Sequence, residues 1–316
     1  MREPVAAATR TLLRRFRSQR PLRGGSLLVT VFGDAIAPRG GLVTLGSLIR
    51  LAQPFGLTER LVRTSVARLA RDGWLAARRD GRRSEYRLTS NGQQRFAEAT
   101  RRIYGEIPRS WDGQWTLAIL PPTTGRRRQQ IRDELRWLGF GQVSAGVFAH
   151  PNCSLEQARE WLGSLRGAAS GLLLKSSSEG IEVDRGLVAS GWDLGELARR
   201  YRRFVDTFAP VESAVAAHAA VAAEPAFVIR TLLIHEYRKI HLQDPLLPPA
   251  LLPADWVGAA GYELCKELYA GVFAAAEAFL SSTASTISEP LPAANAAAHA
   301  RFGGIASAGV GRSASV

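Results

Sequence analysis

The sequence predicts an α+β chain of several domains. A winged helix-turn-helix stands first, a ferredoxin-like α+β domain follows, and a helical C-terminal domain ends the fold. Three observations predict it. Residues 58–89 carry a helix start, an apolar stripe, a turn and a charged hairpin in that order. Residues 111–183 alternate strand and helix signals, and from Trp192 onward the apolar spacing is helical. A chain of 316 residues has room for two or three such domains, each with its own core.

Residues 1–20 are arginine-rich and are expected to form a mobile, disordered basic tail. Arg14-Arg15-Phe16 resembles a twin-arginine export signal. The apolar run after it, Leu27 to Phe32, is short and runs into Asp34, so export is not expected. The winged-helix domain, with an exit helix, is placed over 21–110. Leu27, Leu28, Val31, Phe32, Ala35 and Ile36 have helical spacing, and Pro38-Arg39-Gly40-Gly41 stops that helix. Leu45, Leu48, Ile49 and Leu51 supply a second short helix, closed by Pro54 and Gly56.

The third helix starts at Thr58, an N-cap, with Glu59 in its first turn. Val62, Val66 and Leu69 form its buried stripe. Arg60, Arg63, Thr64, Ala67 and Arg71 face the other way, with Arg68 at the flank. Asp72-Gly73 ends it. Trp74–Arg79 and Ser84–Leu88 read as strands joined at Asp80-Gly81, a hairpin signal. In the second strand Ser84, Tyr86 and Leu88 are expected on the packed face, and Arg83, Glu85 and Arg87 on the charged one. Residues 90–110 form a helical exit, with Phe96, Thr100 and Tyr104 four apart and Pro108 ending it.

The central domain is placed over 111–190. Strands are expected at 114–120, 141–151 and 170–183, with helices at 125–140 and 154–167 between them. The helical C-terminal domain is placed over 191–283. A Pro-rich break at 244–258 precedes an Ala-rich helix from about 259 to 281. Residues 284–316 are rich in Ala, Ser and Gly and are expected to be disordered.

Charge separates these parts. Residues 1–110 hold 22 Lys+Arg against 8 Asp+Glu, whereas 111–316 hold 19 against 20. The chain's net charge of +13 therefore belongs to its first third, which points there to a polyanionic partner. The arginine face of the third helix, through Arg60, Arg63, Thr64 and Arg68, is expected in a DNA major groove. Arg82 and Arg83 at the hairpin tip are expected on the backbone or in the minor groove. A planar guanidinium matches both phosphate oxygens and the guanine edge. Arginine content alone is weak support, because the chain has 38 Arg and 3 Lys and a solvated arginine face is the plainer alternative.

Two distant cysteines, Cys153 and Cys265, give neither a disulfide framework nor zinc spacing, and a reduced cytoplasmic compartment is expected. No apolar stretch reaches membrane-spanning length. His235 and His241 in "HEYRKIH" stand six apart, on roughly opposite helix faces, so they do not form a zinc pair. No catalytic residue, metal or cofactor is expected.

The run "SLLVTVFGDAIAPRGGLVTLGSLIRLAQPFGLTERLVRTSVARLARDGWL" resembles the PaaX family of phenylacetate-catabolism repressors. So do "WDGQWTLAIL", "LRWLGFGQVSAGVFAHP", "RTLLIHEYRKIHLQDPLLPPALLPADWVG" and "CKELY". The resemblance covers roughly residues 25–275, and the fourth run is its most specific part. It implies a winged-helix reader, a central ferredoxin-like domain similar to small CRISPR adaptation nucleases, and a helical C-terminal domain. It further implies a homodimer that represses a catabolic operon on double-stranded operator DNA and is released by phenylacetyl-CoA or a related aryl-acyl-CoA. Val257 stands where the family often has proline.

Arg238 and Lys239, beside His235 and with Trp256 as an aromatic wall, are the expected contacts for that anionic effector, although core packing is the default for each aromatic. "GRRRQQ" (125–130) is read as a solvated run. The alternative function is a metal-dependent nucleic-acid-processing enzyme using the central domain. Such an enzyme needs a carboxylate after the first central strand. Leu120-Pro121-Pro122 stand there, and Asp112 precedes the strand instead.

Overall fold

The computed structural model describes residues 3–19, 24–107, 110–122, 124–165, 171–218 and 220–305. Among them are twelve α-helices and two antiparallel sheets. The first third holds α1 (Glu3–Arg17), α2 (Gly24–Val31), β1 (Leu42–Thr44), α3 (Leu45–Ala52), α4 (Glu59–Arg71), β2 (Leu75–Asp80), β3 (Arg83–Leu88) and α5 (Ser90–Tyr104). The centre holds β4 (Trp115–Ile119), α6 (Gly125–Trp137), β5 (Gly141–Ser144), β6 (Val147–His150), α7 (Leu155–Ser164), β7 (Leu172–Ser176) and α8 (Ile181–Gly191). The remainder is helical: α9 (Leu194–Ala216), α10 (Ala223–His241), α11 (Gly258–Thr283) and α12 (Ala296–His299).

The chain divides into two compact units. Unit 1 comprises residues 1–105, 203–239 and 260–316, and unit 2 comprises 106–202 and 240–259. The segment 191–283, expected as one domain, is therefore shared between both units.

In unit 1, α2 and α3 each pack on α4, and Leu27, Leu28, Val31, Leu48, Leu51, Val62 and Val66 are all essentially buried. Each following helix starts on a threonine. Thr44 accepts from Ser47 N, Thr58 from Leu61 N and Thr89 from Gly92 N, which satisfies an amide that helix geometry leaves orphaned. The sheet order is β1-β3-β2, with Asp80 opposite Arg83 at the hairpin end. Gly81 at the turn adopts φ +53°, a conformation that suits glycine. After α2 the helix widens into a π turn over Phe32–Ile36, which turns Asp34 into the core.

Three expectations are corrected in unit 1. Residues 3–17, expected as a loose tail, form α1. Its stripe of Val5, Thr9, Leu12 and Phe16 is buried, and Phe16 meets the rings of Phe55 and His235 edge-on. The spacing of those four residues is helical, and the arginines occupy the opposite face. Met1, Arg2 and Arg20 lie outside the described residues.

Residues 284–305, expected to be disordered, are packed as well. Ser285 bridges to Pro290, α12 follows, and Arg301 and Phe302 are buried. This strap also decides the third correction. Glu85, expected on the charged face of β3, is 4 % exposed, because the strap covers it and its carboxylate accepts from Ile287 N at 2.9 Å. Residues 306–316 lie outside the described residues.

In unit 2 the connection is β4-α6-β5-β6-α7-β7 and the sheet order is β5-β6-β4-β7, antiparallel throughout. One core joins Ala118 and Phe148 of the sheet to Ile131, Leu135, Ala158 and Leu162 of α6 and α7. A second core joins Trp115 and Ala149 to Val188, Leu247 and Leu251. The strand expected over 170–183 stops at Ser176. Gly180 breaks it, Glu182 and Asp184 suit the first turn of α8, and Asp184 is buried as the acceptor for Trp115 Nε1 at 2.7 Å. Pro108 and Ser170, each at the edge of an expected element, lie outside the described residues.

Candidate nucleic-acid interface

The exposed face of α4 follows from its buried stripe. With Val62, Ser65, Val66 and Leu69 turned inward, helical geometry points Arg60, Arg63, Thr64 and Arg68 outward, and all four are exposed. Arg63 is held by Glu59 one turn earlier, with Nη2 at 2.6 Å from Oε1. Arg68 lies 3.6 Å from Asp72, and the Thr64 hydroxyl donates to Arg60 O. These are solvent-exposed ion pairs, each worth well under about 1 kcal/mol, so a polyanion can exchange for them cheaply. The Arg60 side chain makes no hydrogen bond or ion pair among the described residues.

The hairpin adds a second set. Arg82 and Arg83 are exposed at its tip, and Arg83 Nη1 reaches Ile287 O at 3.4 Å. Arg78, Arg79 and Arg87 are exposed on the same two strands and extend the cationic surface beyond the residues singled out from the sequence. β2 shows no alternation: every one of its residues after Leu75 is exposed.

The four residues expected at an effector are placed differently. His235 is fully buried on α10, with Nδ1 at 3.1 Å from the Thr30 hydroxyl. Arg238 donates Nε to Thr30 Oγ1 at 2.8 Å and Nη2 to Ser26 O and Oγ at 2.8 and 2.7 Å. Lys239 pairs with Glu236 at 2.8 Å. These three belong to unit 1, where His235 and Arg238 fasten α10 to α2. Trp256 belongs to unit 2 and lines a cleft of about 540 Å³ built largely from the Pro-rich 244–256 segment.

A buried charge cluster in unit 1 is not among the sequence-predicted sites. Asp34 receives Arg230 Nε at 2.7 Å on one carboxylate oxygen. The other oxygen takes Arg301 Nη1 at 2.9 Å, Tyr104 OH at 2.7 Å and Tyr269 OH at 2.9 Å. Arg230 Nη1 continues to Glu277 at 2.6 Å, and Arg39 closes the cluster on the other oxygen of Glu277. Burial alone raises a carboxylate pKa, but the Arg230 and Arg301 guanidinium groups and the Tyr104 hydrogen bond outweigh it and hold Asp34 below the ordinary range. Burial and the neighbouring Arg230 push Arg39 down to about 10, and burial pushes the Tyr269 phenol up to about 12. The sequence signal was a lone Asp in "LLVTVFGDAIA" and a lone Arg in "AFVIRTLLI", each inside an apolar helical run.

Among the described residues no group of three or more His, Cys, Asp or Glu has the geometry to hold a metal ion. Asp112 accepts from Gln114 N at 2.9 Å, a local turn bond. No described helix is long and apolar enough to cross a membrane.

The geometry defines a multidomain α+β protein with an arginine-lined helix beside an arginine-tipped hairpin. The family descriptions agree with its parts. Residues 23–92 match the PaaX-like protein model, residues 108–188 the PaaX protein central Cas2-like domain, and residues 192–282 the PaaX-like protein C-terminal domain. A relative described as "Transcriptional repressor PaaX", from Escherichia coli (strain K12), is 35 % identical over 290 residues, covering 90 % of this chain and 92 % of its own. The chain belongs to the PaaX family. A solved structure, described as "Uncharacterized protein Rv0674 from Mycobacterium tuberculosis", aligns with TM-score 0.48 and 25 % identity over 74 % of this chain and 91 % of its own.

Proposed function

We propose that this chain is a ligand-released transcriptional repressor that binds operator DNA as a homodimer. In this reading α2 to α4 with the β2–β3 hairpin form a winged helix-turn-helix, and unit 2 carries a ferredoxin-like sheet. The carrying observation is the pairing of an outward arginine face on α4 with an arginine-tipped hairpin in one unit. Recognition helix and wing reach a groove and its flanking phosphates together. The description of the E. coli relative as a transcriptional repressor supports the same reading. An exposed apolar strip on the unit 2 sheet, Ile119 with Leu172 and Leu174, supports self-association.

The chemistry is one of linkage. The effector is phenylacetyl-CoA or a related aryl-acyl-CoA, and it binds better to the state that fits the operator poorly. Release then requires a differential affinity of a few kcal/mol between the two states. Half-sites lie about 34–36 Å apart, or at a multiple, when both readers share one face of the duplex.

Fluorescence anisotropy on the protein's own upstream promoter, with competitor DNA at near-physiological salt, tests this. Phenylacetyl-CoA, phenylacetate and coenzyme A are titrated separately. Release by phenylacetyl-CoA alone is the expected result. Tight binding that none of the three relieves sinks the assigned effector, and absence of promoter preference sinks the repressor.

A further inference from the structure

Unit 1 contains an apolar cavity of about 420 Å³. Its walls come from Phe96 and Ala97 on α5, Leu88 at the end of β3, Pro38 in the turn before β1, and Ala298 on α12. The strap after α11 therefore supplies one wall and the reader hairpin another. Ligand cavities span about 300–1,000 Å³ and combine apolar walls with a few polar groups. This one has room for an aryl-acyl group and none for a whole coenzyme A.

Charge decides what else it accepts. Among the described residues of its lining, the charged side chains are Arg101 and Arg301. Arg301 is committed to Asp34. Arg101 is exposed, and its side chain makes no hydrogen bond or ion pair among the described residues. The larger cleft in unit 2 differs on this point. Its arginine, Arg185, is held by Ala250 O at 3.1 Å and Glu182 at 2.8 Å, and its lining includes Asp244, a buried residue whose carboxylate accepts from Tyr201 OH and Leu246 N. A carboxylate in the wall repels an anionic ligand.

We propose that the unit 1 cavity seats the acyl end of an aryl-acyl thioester, with the thioester at the mouth and the anionic remainder over Arg101. This rests on the reading of the chain as a ligand-released repressor. It also supplies the link to DNA. Leu88 N donates to Gly41 O at 2.9 Å, and a Cβ at Gly41 would stand 3.0 Å from the Leu88 side chain. The turn before β1 and the end of the hairpin are thus in close contact. An occupant that displaces Leu88 acts directly on β3, the strand that begins at Arg83 beside the hairpin turn.

The test is calorimetric binding of phenylacetyl-CoA to the full-length protein without DNA. Wild type is compared with Ala97→Trp, which fills the cavity, and Arg101→Glu, an exposed change that reverses its charge. Leu252→Trp in the unit 2 cleft is the control, and a melting curve accompanies each variant. The expected result is affinity weakened about tenfold or more by each unit 1 change and unchanged by Leu252→Trp. Wild-type affinity in both Ala97→Trp and Arg101→Glu overturns the site and leaves the repressor reading standing. Loss confined to Leu252→Trp moves the site to unit 2 and overturns the proposal equally. A wild-type protein that binds no phenylacetyl-CoA overturns the site together with that effector assignment.

Discussion

Arg301 Nη1 donates to Asp34 Oδ1 at 2.9 Å across 267 residues of sequence. Both side chains are buried, and Arg230 occupies the other carboxylate oxygen. A buried ion cluster is costly to assemble and more costly to break, because the partner left behind is a desolvated charge. Asp34→Asn strands Arg230 and Arg301 together. The expected loss is about 3–5 kcal/mol in urea unfolding. A loss under about 0.5 kcal/mol would show that the cluster relaxes freely.

The same carboxylate sets an acid dependence. Its folded pKa lies below its unfolded value, so the folded state holds fewer protons in that range. Its stabilisation is complete above about pH 4, the ordinary range for a carboxylate, and drains away as pH falls through the lower folded value. The stability gap between wild type and Asp34→Asn therefore narrows as pH drops from about 6 toward about 3. A gap that is constant over that range refutes the assignment.

On DNA, the two arginine sets are expected to behave differently. Arg63→Ala, on the α4 face, should cost about 1–3 kcal/mol on the operator and much less on unrelated duplexes. Arg83→Ala, at the hairpin, should weaken binding evenly and reduce the salt slope by about 1. Anisotropy at several salt concentrations measures both. Equal losses on every sequence from both variants contradict this division of labour.

Glu85 offers a local test of the strap. Glu85→Ala removes the acceptor of Ile287 N in a part-buried bond. A loss of about 1–3 kcal/mol is expected. Hydrogen exchange should show the Ile287 amide losing protection ahead of the α4 amides. Unchanged protection at Ile287 means another acceptor takes over.

Much of this was legible because local rules acted alone. Thr58, the Val62/Val66/Leu69 stripe and Asp80-Gly81 each fix backbone within a few residues, and α4 and the hairpin stand where spacing placed them. What escaped depended on distant partners. Glu85 reads as an outward strand position until residues 285–290 lie over it. Arg301 reads as part of a low-complexity tail until Asp34 gives it a counter-charge. The bonds of Arg238 to Ser26 and Thr30 were equally hidden, because Ser26 and Thr30 are ordinary polar residues more than 200 positions away in the sequence.

Unit 1 draws on three separated stretches of chain, the last of which contains Arg301. A ribosome making the protein releases Tyr104 long before Arg301 emerges. At about 5–20 residues per second that interval is roughly 10–40 s. During it Asp34 lacks both guanidinium partners until Arg230 emerges and still lacks Arg301 afterwards, and the hairpin lacks its cover. Unit 1 is therefore complete only once translation has passed residue 301, and a chain stopped short of it is expected to be more open to protease. Limited proteolysis of chains stalled before and after residue 301 reads this directly, and equal protection in both would refute it.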